Sequence, residues 1–254
     1  MSEAKSGLPT SSTVPAAAVA CVAAPNDPAL DRPALDDGLF SDFYGPKPVW
    51  RGILHSVAFF VTLPAGLFLL AAAETTAARI AVAVYWASLA GLFGASASYH
   101  RLARTERAVT WLRRADHSAI FLLIAGTYTP ICLLVLPRAW GIPMLVAVWV
   151  TAAAGIIMKM VRLTAKGGAS GSWLYIVLGW GAIIILPQLI SNLDTPRLVL
   201  LFAGGAVYTG GAVILGTQRP NPSSRVFGYH EVWHACTVVA GGLHFALVAS
   251  VLNH

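Results

Sequence analysis

Seven stretches of this chain stay apolar for about twenty residues at a time, over 52–73, 79–100, 116–136, 139–160, 172–193, 197–217 and 229–252. Each is long enough to cross the roughly 30 Å hydrocarbon core of a bilayer as a helix. In lipid no water satisfies backbone N–H and C=O groups, so only helices and closed barrels span. None of the seven alternates apolar and polar residues with period two, so each reads as a helix. Only 11 % of the residues are charged, against about 25 % in a soluble domain. A soluble enzyme is therefore excluded. Pro64, Pro130, Pro187 and the Gly204–Gly205 pair fall inside these segments, where neighbouring helices can satisfy or accommodate them. The expected fold is all-α, a seven-transmembrane-helix bundle over residues 45–254.

Residues 1–44 are rich in Ala, Pro, Ser and Asp and carry no sustained period. They read as a disordered cytoplasmic tail. The run TVPAAAVACVAAP is short, interrupted by Pro15 and preceded by a single lysine, which argues against a cleaved targeting segment. Cys21, Cys132 and Cys236 are too few and too scattered for a disulfide framework.

The net charge of +6 is explained by where the cations fall, with no need of nucleic acid as a partner. Lys47 and Arg51 precede the first segment. Arg101, Arg104, Arg107, Arg113 and Arg114 lie at the connection of the second and third, Lys159, Arg162 and Lys166 at that of the fourth and fifth, and Arg219 and Arg225 before the seventh. The alternate connections hold Arg79, Arg138 and Arg197. The positive-inside rule then gives a multi-pass cell-membrane protein with its N-terminus in the cytoplasm and its C-terminus outside.

Against this background the ionisable residues inside apolar segments are functional candidates. His100 closes the second segment, Asp116 opens the third, and His230 and His234 open the seventh. The topology brings all four to the cytoplasmic membrane depth. His230 and His234 are four residues apart, so both imidazoles leave one helix face. With His100 they would make a three-histidine zinc site with an open position, the usual form of a catalytic zinc. Ser96 lies one turn before His100, and with Asp116 it could hold water at the metal. The plainer alternative is a polar cluster that merely packs helices. His55, His117 and His254 read as interfacial or hydrogen-bonding residues. His244 lies about 15 Å farther along its helix than His234 and reads as a buried hydrogen-bonding group. His230 to His234 also spells the H-E-x-x-H of zinc proteases, in which the glutamate is the general base. That reading lacks a third ligand, because Asp194 falls at the opposite membrane face. Glu231 points about 100° away from His230 and can meet a neighbouring helix or an arginine instead.

The segments SASYHRL, RADHSAIFLLIAGTYTPICLL and FGYHEVWHACTVVAGGLHF, in this order and spacing, resemble the bacterial hemolysin III family. That family is similar to the progestin and adipoQ receptors, adiponectin receptors included. The resemblance covers most of residues 47–252. It implies seven transmembrane helices and a zinc ion near the cytoplasmic face, with His100, His230 and His234 as ligands and Ser96 and Asp116 acting around the zinc-bound water. Similarity of the wider group to alkaline ceramidases implies hydrolysis of lipid amides, with membrane lipids as partners. Receptors of that group have glutamine where Glu231 stands, which argues against Glu231 as an essential base. The expected function is thus a zinc-dependent lipid amide hydrolase. Two alternatives stand beside it. One is a non-enzymatic membrane-remodelling, sensing or cytolytic protein with structural zinc, and the other is an intramembrane metalloprotease.

Overall fold

A computed structural model describes residues 47–163 and 173–252. The tail expected over 1–44, Cys21, Lys166 and His254 lie outside the described residues. Seven described helices are long and apolar enough to cross a membrane. They are α1 (Ile53–Ala72), α2 (Thr76–Leu102), α3 (Glu106–Val135), α4 (Arg138–Arg162), α5 (Trp173–Asn192), α6 (Thr195–Thr217) and α7 (Tyr229–Val251). Among the described residues there is no strand beyond one isolated bridge, between Ser223 and Phe227. Large apolar side chains such as Phe60, Phe68, Val150, Ile157 and Ile184 stand fully outward. An exposed apolar belt of this kind fits a bilayer and would be a liability in water.

Local chemistry sets the helix starts. Thr75 and Thr105 accept hydrogen bonds from the backbone N–H groups of Ala78 and Ala108, and Asp194 accepts one from Arg197. Each thereby satisfies a donor left over in a first turn. Thr105 also explains where the sequence reading fell short. Apolarity begins at Asp116, but the helix begins at Glu106, more than two turns earlier. Its early turns are amphipathic, with Val109 and Arg113 buried and Glu106 and Arg107 exposed. Arg113 and Arg114 are therefore helical residues, not loop cations. Arg114 Nε donates to the Leu163 carbonyl at 2.7 Å, at the end of α4. Lys159, also expected in a connection, is inside α4 and buried, with its ammonium 5.2 Å from the centre of the Tyr175 ring.

Short turns join most neighbours. α2 packs closely along α1 and α3, α3 along α4, and α6 along α7, while α7 touches α1 to close the ring. α3 is the most enclosed helix. Its Ala119 and Leu123 pack with Tyr85, Leu89, Phe93 and Val248. Its Phe121, Ala125 and Tyr128 pack with Val148, Leu189 and Leu247. Small residues let backbones approach. At Gly126 a Cβ would overlap the Ser88 side chain of α2, and at Gly155 one would overlap the Phe121 ring of α3. Pro130 is followed by a π-helical turn over Ile131–Val135 that ends α3, a local adjustment of the kind that keeps backbone groups bonded near a proline. α5 and α6 are consecutive but not closely packed.

Candidate metal centre

At the end of the bundle where α1, α3 and α7 begin and α2 ends, three histidines meet. Each of His100, His230 and His234 offers a ring nitrogen, and the three nitrogens lie within 4.8 Å of one another. His100 Nε2 and His230 Nε2 are 3.1 Å apart. Two nitrogens bound tetrahedrally at 2.0–2.1 Å to one zinc ion would be about 3.3–3.4 Å apart, so the spacing fits a shared ion with little movement. The rings converge from separate faces, with interplanar angles of 77° for His100 and His230 and 63° for His230 and His234. His100 and His234 are buried. His234 Nδ1 has no hydrogen-bond partner among the described residues, a costly condition for a buried nitrogen unless it binds a metal or water. A buried, all-imidazole donor set suits a borderline-soft divalent ion such as zinc. The cluster can hold a metal ion.

Ser96 and Asp116, expected beside this cluster, are brought to it and to each other. Ser96 is buried one turn before His100, and its side chain hydrogen-bonds to Asp116. Both line the same cavity as the three histidines, a space of about 590 Å³. Asp116 keeps 17 % of its side-chain surface exposed, so its carboxylate can still reach water in that space.

Glu231 belongs to the scaffold. It is fully buried, one oxygen ion-pairs with the Arg51 guanidinium, and the other accepts the Gly228 backbone N–H at 2.8 Å. This is the reciprocal half of a capping box at the start of α7. With both oxygens engaged it is not placed to take a proton from water at the histidines. Asp194, the other acidic residue weighed for a protease, caps α6 at the far end of the bundle. His244 is buried, with Nε2 3.2 Å from the Leu201 carbonyl, as its position suggested. His117 Nδ1 lies 3.0 Å from the Arg113 carbonyl. His55 is different from expectation. It is buried rather than interfacial, and its ring stacks on His234.

A second cavity, about 550 Å³, lies deeper and runs between α3, α5, α6 and α7. Its walls are mainly leucine, isoleucine and aromatic side chains, with His244 among them. Leu92, His117, Ile120, Leu215, Trp233 and Thr237 line both cavities, so the polar and apolar spaces adjoin. Trp180 Nε1 donates to Thr209 Oγ1 at 3.0 Å, linking α5 to α6 beside the apolar space.

Fold and site together define a multi-pass membrane protein whose buried histidine cluster at one end of a seven-helix bundle can hold a metal ion. A family model described as haemolysin-III related matches residues 43–245. The chain is 33 % identical over 209 residues to Hemolysin-3 of Bacillus cereus, covering 80 % of this chain and 90 % of the relative. It is 30 % identical over 199 residues to the Hemolysin-3 homolog of Bacillus subtilis (strain 168), covering 77 % and 89 %. The chain belongs to the haemolysin-III related family.

Proposed function

We propose that this protein is a zinc-dependent hydrolase of membrane lipid amides, with His100, His230 and His234 as metal ligands and Ser96 and Asp116 as catalytic residues. The histidine end of the bundle faces the cytoplasm. The observation that carries the reading is that the two cavities adjoin, with six lining residues in common. A polar space lined by the histidines and Asp116 shares a wall with an apolar space of about 550 Å³. A lipid carbonyl at the junction has its tail in the apolar space and its reacting centre beside the polar groups. Cavities of this size are typical of small-molecule sites.

Zinc, when bound, supplies a Lewis acid that polarises the carbonyl and makes water more acidic. The chain supplies the rest. Asp116 orients the attacking water and accepts its proton as general base, then returns a proton to the departing amine. The Ser96 hydroxyl fixes the Asp116 carboxylate by the hydrogen bond between them. Trp233 and Thr237, on α7 within a turn of His234, line the junction and hold the substrate carbonyl against the polar groups.

The name of the Bacillus relatives points to a cytolytic reading. A pore calls for a polar path through the bundle, and the deeper cavity is instead walled by Leu123, Ile124, Ile131 and Leu189. The protease reading calls for a free glutamate, and Glu231 is engaged twice. The test is to reconstitute purified protein in vesicles with a panel of lipid amides and follow fatty-acid release, with zinc measured on the same samples. Release that stops on chelation and returns with zinc is expected. Stoichiometric zinc with no turnover across the panel would sink the hydrolase and leave zinc a structural role.

A further inference from the structure

His55 stands on α1, outside the ligand set, yet makes the closest ring contact of the cluster. Its imidazole lies 3.9 Å from that of His234 between centroids, with only 11° between the planes. His55 is itself braced by Phe93 of α2, at 5.2 Å. The nitrogen lone pairs of an imidazole lie in its ring plane, so the nitrogens of a ring stacked parallel to His234 would point alongside an ion held by His234 and not at it. His55 accordingly falls outside the group whose ligand atoms converge within 4.8 Å.

The contact belongs to a larger arrangement at the start of α1. Arg51, four residues before His55, pairs with Glu231, three residues before His234. Val49 N–H donates to the Arg225 carbonyl at 3.0 Å and Trp50 N–H to the Val226 carbonyl at 3.2 Å, tying the same stretch to the loop that leads into α7. Between these contacts Gly52 has φ +77° and sits so close to α2 that a Cβ would come 2.8 Å from His100 Cβ. The entry to α1 therefore touches both ligand-bearing helices. It contributes no ligand to them.

We propose that His55 is a positioning residue for the metal centre. Its ring backs His234 and fixes the plane in which that imidazole presents its nitrogen to the ion. The inference rests on the reading that the three histidines bind a metal. It assigns His55 no proton transfer and no coordination. An aromatic face at position 55 is what matters, and the imidazole nitrogens are dispensable.

The test uses the full chain in detergent, stripped of metal and titrated with Co²⁺, whose visible absorption reports coordination geometry. His55→Phe keeps an aromatic face without ring nitrogens. His55→Leu fills similar space without that face. Thermal melts establish that each is folded, and His55→Met takes the place of His55→Leu if the latter is not. Wild-type affinity and spectrum are expected in His55→Phe. In the aliphatic variant, affinity should fall about 10–100-fold, the usual effect of removing a group that orients a ligand, with an altered absorption band. Unchanged affinity and spectrum in the aliphatic variant overturn the proposal. So does a folded His55→Phe that loses as much as the aliphatic variant, because the nitrogens would then be required. Wild-type protein that binds no Co²⁺ refutes the metal centre itself, and with it this role, an outcome visible before any variant is compared.

Discussion

Asp116 and Glu231 are the two carboxylates that line the histidine cavity, and their surroundings assign them opposite work. Asp116 hydrogen-bonds to Ser96 and keeps part of its surface open to the cavity. Asp116→Asn preserves its shape but cannot take a proton. Zinc affinity should fall no more than about 10–100-fold, while hydrolysis slows about 10²–10⁴-fold. Zinc content and fatty-acid release measured on one preparation check this, and an Asn variant with full activity removes Asp116 from the mechanism. Glu231→Gln can still accept the Gly228 N–H but leaves the Arg51 guanidinium without its counter-charge. Stability should drop by about 1–3 kcal/mol, read as a lower melting temperature, with turnover per folded molecule close to wild type. Severe loss of turnover in a folded Gln variant would instead favour the protease. His100, His230, His234, Ser96 and Asp116 could be picked out from the sequence as candidates because polar groups in apolar segments are costly. For Glu231 the sequence offers a neighbouring helix or an arginine, and only the fold selects Arg51, 180 residues away. His55 escaped notice because a histidine in a first helical turn is ordinarily interfacial, and only the approach of α2 and α7 covers it.

The helices are held by close approach more than by apolarity, since lipid tails are as apolar as leucine. Gly126 of α3 meets Ser88 of α2 with no room for a methyl group, whereas Gly210 of α6 has nothing within 4 Å of the same position. Gly126→Ala should cost about 1–3 kcal/mol through overpacking. Gly210→Ala should be neutral or slightly stabilising, because alanine is the better helix former. Thermal unfolding in one detergent compares the pair, and equal melting temperatures would mean that the α2–α3 contact yields without cost. The start of α3 makes a related point. Hydropathy sees where apolar residues begin, at Asp116, while the helix starts where Thr105 caps it. Arg113 reads as a loop cation for that reason, although packing buries it.

For the molecule as a whole, the remaining exposed cations still favour one end. Arg101, Arg104, Arg107, Arg162, Arg219 and Arg225 are exposed at the histidine end, against Arg79 and Arg138 exposed at the other. The bias survives the loss of Arg113 and Lys159 from the tally, so the histidine end should face the cytoplasm. Reporter fusions after each helix test this, and a reporter placed after α7 that is active only in the cytoplasm would reverse the orientation. One zinc per chain is expected from elemental analysis. Full occupancy in the combined His100→Ala and His230→Ala variant would remove the metal from this cluster.

By itself the sequence determined the number of spanning helices and, the start of α3 apart, their approximate limits. These follow from segment length, the need to satisfy backbone groups in lipid, and charge between the segments, all of which are properties of the chain taken one stretch at a time. Tertiary structure alone decided that three imidazoles from α2 and α7 converge within 4.8 Å, that Arg51 ties Glu231 into the scaffold, that His55 backs His234, and that loosely packed α5 and α6 leave an apolar space adjoining the histidines. Those are relations between residues far apart in the chain. Which faces meet is set by packing between helices, where a glycine or a ring at each crossing fixes the approach, and no single segment carries that information.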